Sequence, residues 1–292
     1  MHFVDAKGIL TGRNDAYGMN IYRGCSHGCI YCDSRSLCYQ FSHPFDDIEV
    51  KQNAPELLEQ ALRSKRKKCL IGTGSMSDPY QPCEAELKLT RQCLEIIRRY
   101  GFGATVLTKS DLILRDVDLL QAINDGAKCV VQMTLTTWDD GLCRILEPGV
   151  CSTQQRIEVL ARMRDRGIPT VVWLTPVLPF INDTEENILP ILNACADVGV
   201  RGVVCFDMGM TLREGNREYY YAALDRHFPG MKERYIRTYG NAYQVPSPNA
   251  PALMRLFHDF CEAHGILHHP NECFSYLAEL PEREPQLSLF DP

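Results

Sequence analysis

Tyr22-Arg23-Gly24-Cys25-Ser26-His27-Gly28-Cys29-Ile30-Tyr31-Cys32 carries three cysteines in a C-x3-C-x2-C spacing, directly after the strand-like run Tyr17 to Tyr22. A [4Fe-4S] cluster normally takes four cysteine ligands, so a triplet this tight leaves one iron free to bind a small molecule. Zinc would need a fourth protein ligand, with His27 and Cys38 as candidates, and the spacing is unlike the cysteine pairs of common structural zinc sites. Gly24 and Gly28 suit a loop whose backbone wraps closely around a cluster and offers amides to its sulfurs.

Outward from the triplet, short apolar runs alternate with amphipathic segments, the pattern of repeated strand-helix units and a parallel sheet. The strand candidates are Tyr17 to Tyr22, Lys68 to Thr73, Ala104 to Thr108, Cys129 to Thr134, Thr170 to Thr175 and Gly202 to Phe206. Helices are predicted near 54 to 66, 86 to 100, 111 to 125, 153 to 167 and 184 to 198. Ser152 or Thr153 can cap the fourth of these, Gly167 and Pro169 end it, and Asp183-Thr184-Glu185-Glu186 opens the fifth. After residue 208 the pattern changes to helical segments near 217 to 227 and 250 to 264, followed by a Pro- and Glu-rich tail.

With 292 residues, 45% apolar and 23% charged, the composition is that of an ordinary soluble globular protein. The start Met1-His2-Phe3-Val4-Asp5-Ala6-Lys7 lacks a basic stretch followed by an apolar one, and no 18-residue apolar run occurs, so a cytoplasmic location without a membrane span is expected. In that setting the 14 cysteines are expected as thiols, metal ligands or small core residues, not disulfides. A net charge of -6 argues against broad attraction to a nucleic-acid backbone, and the basic run Arg63-Ser64-Lys65-Arg66-Lys67-Lys68 reads as a solvated helix end.

The triplet and the aromatic Tyr31 before its last cysteine resemble the radical S-adenosylmethionine (SAM) superfamily. The wider phrase Asn20-x-Tyr22-x-Gly24-Cys25-x-His27-x-Cys29-x-Tyr31-Cys32 is similar to that of the spore photoproduct lyase-like group, also called DNA repair photolyase homologues. So are Ser77-Asp78-Pro79-Tyr80-Gln81-Pro82-Cys83-Glu84, Thr108-Lys109-Ser110, Leu135-Thr136-Thr137, Leu146-Glu147-Pro148 and Thr175-Pro176-Val177-Leu178-Pro179. Within the group the chain resembles the proteins called radical SAM mobile pair protein B. The resemblance implies an α/β fold, a partial (β/α)6 TIM-type barrel over residues 17–208. An N-terminal extension over 1–16, a C-terminal helical extension over 209–280 and a flexible tail over 281–292 would complete the chain. Cofactor residues would lie at the C-terminal strand ends.

By this resemblance Cys25, Cys29 and Cys32 ligate a [4Fe-4S] cluster, and SAM lies against Tyr31, Gly72, Thr73, Gly74, Ser75, Lys109, Ser110, Thr134, Thr136, Pro176, Val177 and Leu178. Gly72-Thr73-Gly74-Ser75 takes the place of a Gly-Gly-Glu segment that receives SAM's amine; it lacks the Glu, and Asp78 is the candidate substitute. A reduced cluster would cleave SAM to methionine and a 5'-deoxyadenosyl radical, which abstracts hydrogen from a substrate. The lyase itself also returns hydrogen from a cysteine near the end of its second strand, where this chain has none. Cys83, Cys205, Tyr219, Tyr220 and Tyr221 are the remaining candidates for that role, and no spacing selects among them.

The end of the chain carries Gln286-Leu287-Ser288-Leu289-Phe290, which resembles the peptide consensus that binds the bacterial DNA polymerase sliding clamp. Gln286 can hydrogen-bond at a rim while Leu287, Leu289 and Phe290 fill an apolar pocket. Together these features predict a radical SAM enzyme acting on DNA, for repair or base modification, recruited by the clamp. A low-potential electron donor such as flavodoxin or ferredoxin and a companion radical SAM protein are the further partners in that reading. The alternatives are radical chemistry on RNA, protein or a small molecule, and a noncatalytic iron-sulfur protein that binds a partner.

Overall fold

The computed structural model describes residues 1–13 and 16–281. The apolar runs become the main sheet, whose strands are numbered β1 (Leu10–Arg13), β2 (Ala16–Met19), β3 (Leu70–Thr73), β4 (Gly103–Thr108), β5 (Cys129–Thr134), β6 (Thr170–Trp173) and β7 (Gly202–Val204). Their spatial order is β7-β6-β5-β4-β3-β2-β1. Strands β2 to β7 are parallel, with Gly18 opposite Gly72, Gly72 opposite Thr105 and Val131 opposite Thr170, and β1 joins β2 as an antiparallel edge. The sheet ends at β1 and β7 without closing, so the six parallel strands and the helical crossovers between them form an open partial barrel.

Burial on both faces explains why these strands read as unbroken apolar runs: all six residues of β5 are buried. Helix Leu89–Arg99 shows the matching pattern, turning Leu89, Cys93, Leu94, Ile96 and Ile97 inward. Leu94 is fully buried, and its truncation to Ala would cost about 2–5 kcal/mol. Helix Thr153–Asp165 starts at Ser152, whose hydroxyl accepts from Gln155 N while the Gln155 side chain accepts from Ser152 N, a reciprocal cap.

Several elements differ from the sequence pattern. The first strand candidate splits: β2 ends at Met19, while Tyr22–Arg23 pairs antiparallel with Glu49–Lys51, which also pairs with His2–Val4. The chain bends between them, held by Lys51 N and Nζ donating to Ile21 O and Asn20 O. The segment near 86 to 100 breaks at Lys88, which has φ 53, and the one near 111 to 125 opens as a 3-10 turn over Asp111–Asp116.

Helices Met231–Tyr239 and Pro270–Ala278 and the hairpin Gly209–Thr211 with Gln244–Pro246 lie outside the segments expected from the sequence. Helix Met231–Tyr239 and the hairpin build a second core with helix Asn216–His227, in which Tyr220, Leu224 and Tyr235 pack with Cys29, Ile30 and Tyr31, whereas helix Pro270–Ala278 packs Cys273 and Leu277 on Val130, Val171 and Val204 of the main sheet. The region after residue 208 therefore supports the cysteine loop directly. Among the described residues no helix is long and apolar enough to cross a membrane.

Candidate cluster site and adjoining cleft

The cysteine loop owes its shape to local backbone chemistry. Gly24 has φ 90, and a Cβ there would stand 2.4 Å from Phe45 O, so only glycine fits. Cys25 N donates to that same Phe45 carbonyl, and Cys32 N to Cys29 O. Cys25, Cys29 and Cys32 line one cavity of about 110 Å³. Burial, reinforced by Asp78, pushes the Cys25 thiol up to about 12; burial pushes Cys29 well above its ordinary value, partly opposed by Lys109. These thiols keep their protons until a metal displaces them.

The donor set fits a cluster better than a single ion. Among the described residues, the groups whose ligand atoms gather within 4.8 Å are His258, His268 and His269, and His2, His43 and Glu49; the triplet is not among them. Its sulfurs line a cavity wall, as thiolates on separate irons require. Neither proposed fourth zinc ligand turns to it: His27 is held by Gly149 and Asp78, and Cys38 is exposed, accepting from Arg213 at 3.2 Å.

Two stretches far away in sequence clamp the loop. In the first, Ser77 Oγ donates to Tyr22 O at 2.6 Å, Gln81 Oε1 accepts from Ser26 N at 3.1 Å, and Glu84 accepts from the Tyr22 hydroxyl. Asp78 lies in the same stretch, with Oδ2 3.1 Å from His27 Nε2 and 2.8 Å from Lys109 N. Its Oδ1 accepts from Thr108 Oγ1 at 2.6 Å and from Tyr80 N at 2.8 Å. Burial opposes the Asp78 charge, yet His27 and the donors from Thr108 and Lys109 outweigh it and lower its pKa to about 2.

In the second stretch, Leu146 O accepts from Ile30 N, Gly149 N donates to His27 O, and His27 Nδ1 donates back to Gly149 O at 2.8 Å. A Cβ at Gly149 would meet His27 O at 2.7 Å. Between them the Tyr31 hydroxyl donates to Glu147, which pairs with the fully buried Arg156. Arg156 also donates to Thr134 O and Cys151 O, so the guanidinium is satisfied away from water. Burial opposes the Glu147 charge, while Arg156, Lys109 and Tyr31 lower its pKa.

The small cavity opens onto a cleft of about 710 Å³; Tyr31, Cys32, Gly74, Ser75, Lys109 and Thr134 line both. Gly74, with φ 104, is required because a Cβ would fall 2.0 Å from Leu107 O. Lys109 reaches the space near Tyr31, its Nζ 6.0 Å from the ring centroid. Burial alone would lower its pKa, but Cys29, Glu147 and Asp78 hold it raised. The far wall comes from the ends of β6 and β7 and from the hairpin: Trp173, Pro176, Phe206, Asp207, Thr211 and Gln244.

Of the residues expected around SAM, Tyr31, Gly74, Ser75, Lys109, Thr134 and Pro176 line these spaces, whereas Gly72, Thr73, Ser110, Thr136, Val177 and Leu178 do not. Gly72 and Thr73 lie in the β3 ladder, Ser110 Oγ accepts from Leu112 N, Thr136 O accepts from Asn182 and Asn187, and Val177 and Leu178 are core. Asp78 borders the small cavity, but both its oxygens are engaged within the protein.

Cys83, Cys205, Tyr219, Tyr220 and Tyr221 line neither space. Cys83 packs on the main core, Cys205 is buried beside Met254, Tyr219 lies against Arg35 and Tyr220 donates to Tyr235. Trp173, Phe206, Asp207, Thr211 and Gln244 went unread, because nothing in their local sequence marks them; the topology brings them together. Residues Gln286, Leu287, Ser288, Leu289 and Phe290 lie outside the described residues.

The radical SAM superfamily model matches residues 19–190. An uncharacterized protein of Mycobacterium tuberculosis is 30% identical over 245 residues, covering 82% of this chain and 71% of its own. A radical SAM Nalpha-GlyT isomerase of Pseudomonas phage M6 is 27% identical over 180 residues, 62% of this chain and 36% of the phage protein. Spore photoproduct lyase complexed with dinucleoside spore photoproduct has a similar fold, with a TM-score of 0.62 at 14% identity over 86% of this chain and 75% of the lyase.

Proposed function

Because the chain belongs to the radical SAM superfamily, we propose that Cys25, Cys29 and Cys32 hold a [4Fe-4S] cluster, that SAM enters the adjoining cleft, and that the enzyme acts on DNA. The observation that carries this reading is the continuity of the two spaces through Cys32, Gly74 and Lys109. When bound, cluster and SAM supply a 5'-deoxyadenosyl radical that takes hydrogen from the substrate.

The chain's own groups do the positioning. Lys109 carries the cation for SAM's carboxylate, Ser75 and Thr134 offer hydroxyls, and Gly74 admits a close backbone approach. Trp173 and Phe206 give the far wall apolar faces for a planar group, and Asp207, Thr211 and Gln244 offer polar contacts around it.

DNA is supported by the fold shared with a lyase solved with a dinucleoside photoproduct, and by the clamp-like peptide Gln286 to Phe290. Clamp recruitment would concentrate DNA around a protein of net charge -6 that lacks broad attraction for it. Flavodoxin or ferredoxin is the electron source in this proposal, and a companion radical SAM protein its second partner.

Among the described residues, Cys32 alone of the cysteines lines the cleft, so its wall has no spare thiol to return a hydrogen. That favours modification or rearrangement of a nucleotide over thiol-terminated repair. The test is anaerobic turnover of reconstituted protein with a strong reductant, on undamaged and ultraviolet-irradiated DNA, reading 5'-deoxyadenosine and nucleoside products. DNA is expected to raise 5'-deoxyadenosine formation and to yield a changed nucleoside. SAM cleavage indifferent to both DNAs would overturn the DNA reading, and a loaded cluster that cleaves no SAM would overturn the whole.

A further inference from the structure

Three histidines gather where helix Ala250–His264 meets the start of helix Pro270–Ala278. We propose that His258, His268 and His269 form a binding site for one divalent transition-metal ion of the zinc class, separate from the cysteine triplet.

His268 is 6% exposed, and its Nδ1 donates to Ile266 O at 3.0 Å. That hydrogen bond sets the tautomer and leaves Nε2 as a lone pair, which is buried without a hydrogen-bond partner; His258 Nδ1 is buried and unpartnered in the same way. Two orphaned imidazole nitrogens at one place are unusual in a folded protein. A metal ion supplies what both lack, and a backbone carbonyl on the far nitrogen of a ligating histidine is the usual supporting contact.

One ligand atom from each of the three histidines lies within 4.8 Å of the other two. Tetrahedral zinc with Zn–N near 2.0–2.1 Å brings such atoms to about 3.3 Å, a closure that side-chain rotation of exposed His269 and half-buried His258 can provide. The rings are already adjacent, with centroids 5.1 Å apart for His258 and His268, 5.7 Å for His258 and His269 and 4.3 Å for His268 and His269. Glu262, one turn beyond His258 and among the carboxylates acting on it, or a water, can take the fourth position. Imidazole ligation suits zinc, copper or nickel over magnesium or calcium.

The ion would fix the turn that joins the C-terminal helix to the sheet. Leu267 O accepts from Val203 N of β7 at 2.8 Å, and Phe274, one turn into the helix, stacks on Phe206 of the cleft wall at 6.0 Å. The site is thus structural, tied to the cleft through one helix.

The test uses full-length, cluster-loaded protein with zinc at micromolar free concentration. Zinc-edge X-ray absorption reads the ligand shell without interference from iron, and competition with a chromophoric chelator reads affinity. One zinc per chain is expected in a shell of nitrogen and oxygen. His258→Gln and His268→Gln should each weaken binding on the order of 100-fold, and His269→Gln, at an exposed position that does not endanger folding, about 10-fold or more. His264→Gln, on the same helix but outside the group, should change nothing. Sulfur in the zinc shell, unchanged affinity in His258→Gln and His269→Gln, or no zinc bound would overturn the proposal.

Discussion

Asp78 Oδ2 lies 3.1 Å from His27 Nε2, which joins a buried carboxylate at the end of β3 to the middle of the cysteine loop. The same carboxylate accepts from Thr108 Oγ1 and from Lys109 N, so one side chain ties the loop to the ends of two parallel strands. The phrase from Ser77 to Glu84 thus acts chiefly by holding the loop in place.

The first prediction concerns acid. The Asp78 pKa is lowered to about 2 in the folded protein, against about 3.9 in an unfolded chain. A depressed carboxylate pKa stabilises the fold above the unfolded value, and that contribution is lost as pH falls through about 4 towards 2. The metal-free protein should lose roughly 2 kcal/mol across this window that Asp78→Asn does not lose. Urea unfolding at several pH values measures it; equal acid sensitivity in both proteins would contradict the assignment.

Glu147 and Arg156 are buried as a pair, 1% and 0% exposed. Glu147→Gln leaves the guanidinium charged and uncompensated, and should lower unfolding stability by about 3–5 kcal/mol. Because the amide keeps a single acceptor oxygen for both the Tyr31 hydroxyl and the Arg156 guanidinium, the hold on Tyr31 weakens and iron loading should fall in the same variant. The double variant Glu147→Met with Arg156→Met removes both charges and should recover most of the stability. If the single and double variants were equally destabilised, the pair would not be the cause.

Lys109 lines both the cysteine cavity and the cleft, with a raised pKa. Lys109→Met keeps the stem and removes the charge. A charge-assisted hydrogen bond to SAM's carboxylate contributes about 1.5–3 kcal/mol, so affinity for SAM should fall roughly 10- to 100-fold. Iron content should stay at the wild-type level. Equilibrium binding of SAM to cluster-loaded variant protein checks this, and unaltered affinity would remove Lys109 from the SAM site.

What could be read from sequence follows from how local each signal is. Strands β3 to β6 were legible because a doubly buried parallel strand is a continuous apolar run, and helix Thr153–Asp165 because Ser152 marks its start and Gly167 and Pro169 its end. The triplet was legible because its spacing lies within one loop. Tyr22 was assigned to the wrong sheet because alternation cannot show the bend at Asn20 and Ile21. The far wall of the cleft was illegible for a different reason: Trp173, Phe206 and Gln244 come from three separate segments and converge only when β6, β7 and the hairpin are in place. Gly149, reciprocally bonded to His27 across 122 residues, has no local mark at all.

The last prediction tests recruitment separately from chemistry. Leu289 and Phe290 are the apolar anchors of the clamp-like peptide, and anchors of this kind lose about 2 kcal/mol or more on truncation, roughly 30-fold in affinity. The double variant Leu289→Ala with Phe290→Ala should therefore lose measurable binding to the bacterial sliding clamp in a direct binding assay. It should keep wild-type 5'-deoxyadenosine formation on short free duplexes, since nothing in the triplet or cleft has changed. On circular DNA carrying a loaded clamp, wild-type turnover should exceed that of the variant, because tethering raises the effective concentration of substrate without a new contact at the site. If the two proteins turn over equally there while clamp binding is lost, the peptide serves another end; if clamp binding is unaltered, the reading of Gln286 to Phe290 is wrong.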